Sequence, residues 1–270
     1  VEGAPDSVQE KPDTVGINIS FPTAAGKPTG VIALVGATVI SMKGDEVIPN
    51  ATIVIDQNRI KAVGPANAVS IPSGAKRIDV TGSTIIPGII DVHAHANFRD
   101  WSPLTNWPYY ANLAYGVTTM HDPSASTEYV FSNSEMIRAG IMVGPHLYST
   151  GTILYGAEGS YKAIVNDFDD AMSHLRRLKA VGAFSVKSYN QPRRDQRQQI
   201  IEAARNLKMM VVPEGGSTFF WNMTMVLDGH TGIEHNIPIA PLYNDIIQLI
   251  ARSRTGLTPT LIVNYGGLSG

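Results

Sequence analysis

A chain of 270 residues with 43% hydrophobic content can bury a full-sized core, and its length suits one large α/β domain with a smaller unit beside it. A net charge of −2, with acidic and basic residues interspersed, lacks the basic footprint of a nucleic-acid binder. Cysteine is absent, which excludes disulfides and thiolate metal sites, and no apolar run reaches the roughly 18 residues of a membrane span.

Residues 1–30 are polar and rich in proline, glycine and charge, and read as an extended arm or linker. They lack the charged and apolar regions of a signal peptide. The start on Val1 and the end at YGGLSG suggest a piece of something longer. From 31 to 84 the pattern turns to short β-rich runs (VIALVGATVI, ATIVID, RIKAVG, RIDVTGSTII) separated by KGDE, DQN and IPSG, which predicts a small antiparallel β domain.

After Pro87 the rhythm becomes strand, loop, helix over residues 85–270. The runs IIDVHAH, GVTTMHD, PHLYSTG, FSVKSY, MMVVPE, TGIEHN and TPTLIV read as strands. Between them, DDAMSHLRRLK, RRDQRQQIIEAARNLK and LYNDIIQLIARS carry apolar residues at helical spacing: Met172, Leu175 and Leu178, then Ile200, Ala204 and Leu207, then Leu242, Ile246 and Ile250. Seven such strands predict an α/β fold, an incomplete (β/α)8 TIM-type barrel of strands 1–7, rather than a doubly wound sheet. No G-x-G-x-x-G or P-loop pattern supports a nucleotide fold.

In such a barrel the chemistry collects at the C-terminal strand ends. Here those ends are polar: His93 and His95, His121 and Asp122, Lys187, Glu214, Glu234 and His235. Residues two apart on an extended chain point the same way, so His93 and His95 should leave their strand together. Several charges in one mouth are unfavourable unless a cation or hydrogen bonds organise them. Each residue also has an ordinary reading. Lys187 could be a rim lysine, Asp122 a turn aspartate before proline, and His121 and His230 surface or supporting histidines. Glu234 alternates with His235, so a strand should turn only one of them inward.

These motifs resemble the amidohydrolase superfamily. ALVGATVISM, IVIDQNRIKAVG and IIPGIIDVHAHANF look like the small β domain, read as a β-sandwich, and first barrel strand of imidazolonepropionase-like and prolidase-like members. GVTTMHD, GPHLYSTG, VKSYN and GIEHN follow in the expected order, and DGHTGIEHNIPIAPLY is similar to members that follow a Tol-type β-propeller. The resemblance implies a metal-dependent hydrolase, suggests a periplasmic or secreted place with a cytoplasmic one as the alternative, and implies one or two divalent ions, zinc first and manganese or iron as alternatives. It makes His93, His95 and His235 metal ligands and Lys187 a bridging ligand as a carbamate formed from CO2.

Two departures stand out. Glu214 occupies the place of the family's strand 5 histidine, and a carboxylate can also ligate zinc or manganese. The family's strand 8 aspartate has no counterpart, so the chain reads as the N-terminal part of a catalytic domain that the remaining C-terminal part would complete. The implied substrate is a small cyclic amide, a dipeptide or an N-acyl amino acid, with Tyr189, Asn190, His230 and the GGSTFFW loop placed to line the mouth. The rival readings are a barrel that has lost its chemistry and an esterase or lactonase using the same site.

Overall fold

The computed structural model describes residues 26, 28–96, 106–155, 162–189, 193–215 and 218–260, so the predicted arm of residues 1–30 lies almost wholly outside them. The first unit is a single mixed sheet. β1 (Val31–Ile40), β2 (Val47–Asp56) and β3 (Arg59–Pro65) form an antiparallel meander, as their β-branched runs and short turns predict. β4 (Lys76–Asp79) and β5 (Thr84–Ile85) then both pair parallel to β1, giving the order β3-β2-β1-β4 with β5 further along β1. This corrects the expected purely antiparallel pairing. The described residues form one sheet because the chain crosses from β3 to the far edge of β1 before re-entering, and a crossover makes the pairing parallel.

Strands then alternate with helices: β6 (Ile89–Asp91), α1 (Trp107–Ala114), β7 (Val117–Asp122), α2 (Thr127–Ala139), β8 (His146–Ser149), β9 (Ile153–Tyr155), β10 (Lys162–Ile164), α3 (Phe168–Ala180), β11 (Ser185–Tyr189), α4 (Arg194–Leu207), β12 (Met210–Pro213), α5 (Phe219–Asp228), β13 (Gly232–Glu234), α6 (Asn244–Ser253) and β14 (Gly256–Thr258). Pairing is parallel throughout, in the groups β6-β7-β8, β9-β10, β11-β12 and β13-β14. A bridge from Glu214 to Glu234 joins β12 to β13. The fold is α/β, and among the described residues the strands do not close into a ring.

The three predicted helices are present, with ends that follow local chemistry. Asp167 caps α3 by accepting from the Asp170 amide (2.9 Å), and Asp169 and Arg177 sit at the ends that suit the helix dipole. Leu175 of α3 and Ile200 of α4 meet Leu154, Val186 and Val211 of the strands beneath, in the larger core. A second core gathers Tyr109, Met120, Val130 and Leu147 around β7 and β8. Helix α6 has the predicted apolar stripe, and Leu242, Ile246 and Ile250 are only half-buried. Among the described residues, no helix is long and apolar enough to cross a membrane.

Candidate functional site

β6 ends earlier than the sequence suggests, because Asp91 Oδ1 accepts from the His93 amide (3.0 Å) and turns the chain. His93 and His95 therefore lie in the loop after the strand. They still meet, with their Nε2 atoms 3.1 Å apart. Each ring is held from behind by a carboxylate: His95 Nδ1 donates to Asp122 (2.9 Å) and His93 Nδ1 donates to Glu234. Both carboxylates are buried, Asp122 at 2% exposure and Glu234 at 3%.

The turn reading of Asp122 is thus corrected. Its side chain does accept the Ser124 amide as a turn aspartate would, but the same oxygen orients His95. The exclusive choice between Glu234 and His235 is corrected too. β13 stops at Glu234, and His235 follows at φ 70°, which breaks strand alternation and lets both side chains enter the site.

Lys187, in the middle of β11, is 2% exposed, and its ammonium is paired with Glu214. The other Glu214 oxygen accepts from His235 Nε2, and the His235 ring lies 5.0 Å from that of His93. Burial alone would raise the Glu214 pKa, but the His235 hydrogen bond and the Lys187 charge outweigh it and hold the group at about 2. The carboxylate is therefore ionised at neutral pH. Gly215 permits this approach of strand ends: a Cβ there would stand 2.4 Å from the Glu234 carbonyl oxygen. Glu234 and Asp122 are the members of the cluster that sequence reasoning set aside. Their positions at strand ends were the available signal.

The remaining candidates divide. Tyr189 lies beside Lys187, its ring centroid 5.8 Å from Lys187 Nζ, whereas Asn190 falls outside the described residues. His230 does not line a mouth. It is buried, with Nδ1 donating to the Met225 carbonyl (3.0 Å) and Nε2 accepting from Ser188 (2.9 Å), so both nitrogens are committed within the fold. His121 is likewise engaged, with Ser185 Oγ at 2.8 Å, and burial lowers its pKa.

Burial also depresses the His230 pKa, from 6.5 to about 4. Between those values the unfolded chain binds a proton that the folded chain refuses. Stability from this group is complete above about pH 6.5 and is lost as pH falls toward 4, on the order of 3 kcal/mol in all. Thermal melts should show a fall in Tm across that window that His230→Gln flattens. Parallel profiles for the two proteins would contradict this.

Among the described residues, no three His, Asp or Glu groups stand as a ready-made metal cage, since the donors are satisfied by one another. The chemistry of the donors nevertheless fits a cation. A carboxylate can only accept, so Nδ1 of both His93 and His95 carries a proton, and in the neutral form of each ring Nε2 presents a lone pair. Two lone pairs 3.1 Å apart repel unless a positive charge lies with them. Carboxylate-backed imidazoles are the posture of metal-binding histidine.

No family model matches the chain. It is 42% identical over 59 residues to an imidazolonepropionase of Rhizobium rhizogenes, a stretch covering 22% of this chain and 14% of that one. Among solved structures, a Xaa-Pro dipeptidase with bound methionine in the active site superposes with a TM-score of 0.69 at 18% identity, covering 86% of this chain and 67% of that one. An amidohydrolase superposes with a TM-score of 0.69 at 20% identity, with coverage of 86% and 67%. The chain thus shares the fold of these hydrolases and, over one matched stretch, is similar in sequence to an imidazolonepropionase. Its matches span less than a quarter of the length of the curated relatives.

Proposed function

We propose that this chain is a member of the amidohydrolase superfamily and forms part of a metal-dependent hydrolase acting on a carbon–nitrogen bond of a small amide, with a cyclic amide, a dipeptide or an N-acyl amino acid as the substrate classes. The observation that carries this reading is the pair of imidazoles facing each other at 3.1 Å, each backed by a buried carboxylate. His93, His95 and His235 would hold a divalent ion, zinc by preference, with Glu214 and Lys187 completing the set. When bound there, the ion supplies a water of lowered pKa and polarises a carbonyl.

The chain's own residues prepare that chemistry. Glu234 and Asp122 fix the tautomer and aim of His93 and His95, which keeps both Nε2 lone pairs directed at one point. Lys187 would contribute as a carbamate: its ammonium gives up one proton, the neutral amine attacks CO2, a C–N bond forms as one C=O π pair moves onto oxygen, and the nitrogen releases a second proton. Its present ammonium would be exchanged for an anion beside the Glu214 carboxylate, a pairing that requires a cation in the site.

The same reading extends to the architecture, with residues 31–84 as a small β domain and 85–270 as barrel strands 1–7 and their helices. β6 and β14 pair on one side only among the described residues, Ile90 is 62% exposed on that edge, and no residue of α6 is fully buried. Unpaired parallel edges of this kind are covered in stable proteins, and further βα units closing a (β/α)8 barrel would cover them.

The test is hydrolysis by the intact protein of dipeptides, N-acyl amino acids and cyclic amides, with matched esters, before and after chelation. Amide cleavage abolished by a chelator and restored by zinc or manganese supports the reading, and cleavage of esters alone turns it toward an esterase. Asp122→Asn and Glu234→Gln should each weaken metal affinity about 10- to 100-fold. Unchanged affinity in both variants would remove their orienting role.

A further inference from the structure

We propose that Thr260 is the positioning residue for His235, its hydroxyl turning from donor to acceptor as the ring exchanges Glu214 for a divalent cation. This rests on the hydrolase reading above and concerns how its third imidazole is made ready.

The three histidines of the cluster are backed by different chemistry. Asp122 stands behind His95 and Glu234 behind His93, and both contacts are made at Nδ1. The Nδ1 of His235 meets the Thr260 hydroxyl instead. A carboxylate only accepts, so it holds a proton on the Nδ1 that it faces. A hydroxyl both donates and accepts, and it imposes no tautomer.

The chain path brings Thr260 to this place. β14 pairs parallel with β13 as far as Glu234 and Thr258, and the His235 amide then donates to the Thr258 carbonyl (2.9 Å). Pro259 has no amide hydrogen with which to extend the ladder, and it favours an extended residue before it. Thr260 follows directly, half-buried against the ring of His235, which its own φ of 70° has turned out of the strand.

The other side of the ring decides the direction of each bond. His235 Nε2 faces the Glu214 carboxylate, which can only accept, so Nε2 carries the proton. In the neutral ring Nδ1 then holds a lone pair, and Thr260 donates to it. His93 and His95 stand in the reverse tautomer. For His235 to offer its Nε2 as they do, its proton must reside on Nδ1 and Glu214 must release the ring. Thr260 meets the relocated proton by rotating its hydroxyl about the C–O bond until the oxygen accepts, a change that shifts no heavy atom. Without that oxygen the new Nδ1–H would stand unpaired, which weakens the cation-binding state and leaves the Glu214-bound state as it is. His93 and His95 are therefore ready in the metal-free protein, and His235 is recruited afterwards.

The experiment uses the intact protein stripped of metal, titrated with zinc against a chromophoric chelator, with the tautomers of isotopically labelled histidines read by nitrogen NMR. His235, assigned by comparison with His235→Asn, should carry its proton on Nε2 in the stripped protein and on Nδ1 once zinc is added. Thr260→Val keeps the shape of the side chain without its hydroxyl and should weaken zinc binding about tenfold, the lower end for an outer partner of a metal ligand. Thr260→Ser should restore most of that loss, which separates the hydroxyl from a disturbed fold. A proton on Nδ1 of His235 in the stripped protein, zinc affinity unchanged in Thr260→Val, or equal losses in the valine and serine variants each overturn the role of Thr260 and leave the hydrolase reading standing. A parent protein that binds no zinc overturns the metal reading itself, and the role of Thr260 with it.

Discussion

Alanine at Asp228 should destabilise the protein by about 3–5 kcal/mol, the effect of leaving a buried charge without its partner. Asp228, the last residue of α5, has a fully buried side chain that accepts from Arg194 (2.7 Å), Arg197 (2.9 Å) and Gln198 (3.1 Å) of α4. Burial works against its charge, but these donors more than compensate and lower its pKa. Arg197 is itself buried, and its guanidinium stacks 4.5 Å from the Trp221 ring. Removing the carboxylate strands that guanidinium between two helices. Arg194→Ala is the contrast: that side chain is 55% exposed, so its loss should weaken stability by no more than about 1 kcal/mol. Urea unfolding of the two variants checks the difference, and equal, small effects would show that the pair does not hold α4 to α5.

The second large effect concerns Lys187. Both Lys187→Met and Lys187→Arg should lower amide hydrolysis by at least about a hundredfold, the upper end of what an orienting partner of a metal ligand is worth. The arginine variant is the informative one. A guanidinium can keep the charge opposite Glu214, but it cannot take up CO2. If Lys187 served only as the ion-pair partner of Glu214, the arginine variant would retain most of the rate and the methionine variant would not. Steady-state rates for both variants, with and without added bicarbonate for the parent protein, separate the two roles.

How far the sequence could be read depended on whether a feature was local. Helices α3, α4 and α6 were legible because Leu175, Ile200 and Ile246 belong to stripes repeating at helical spacing. β9 and β10 were not, because three-residue runs such as ILY and KAI carry no period. The parallel pairing of β4 and β5 with β1 is a matter of chain path, which residue pattern does not encode. At the site, His93, His95, Lys187, Glu214 and His235 were legible as ionisable residues ending apolar runs. Two features lie beyond local pattern: strand alternation stops before His235, where φ is positive, and the role of Asp122 follows from its burial against His95 and not from the proline beside it. Asp122 and Glu234 act through rings 27 and 141 residues away in the chain, a relation that only the folded structure displays.

The central claim is that these side chains hold a divalent metal, and elemental analysis of the intact protein, unaltered and with both His93 and His95 replaced by alanine, tests it most directly. The account predicts one to two equivalents of metal in the unaltered protein and loss of most of it from the double variant, with the fold retained by circular dichroism. A double variant that keeps its full metal content, or an unaltered protein that hydrolyses amides while free of metal, would contradict it.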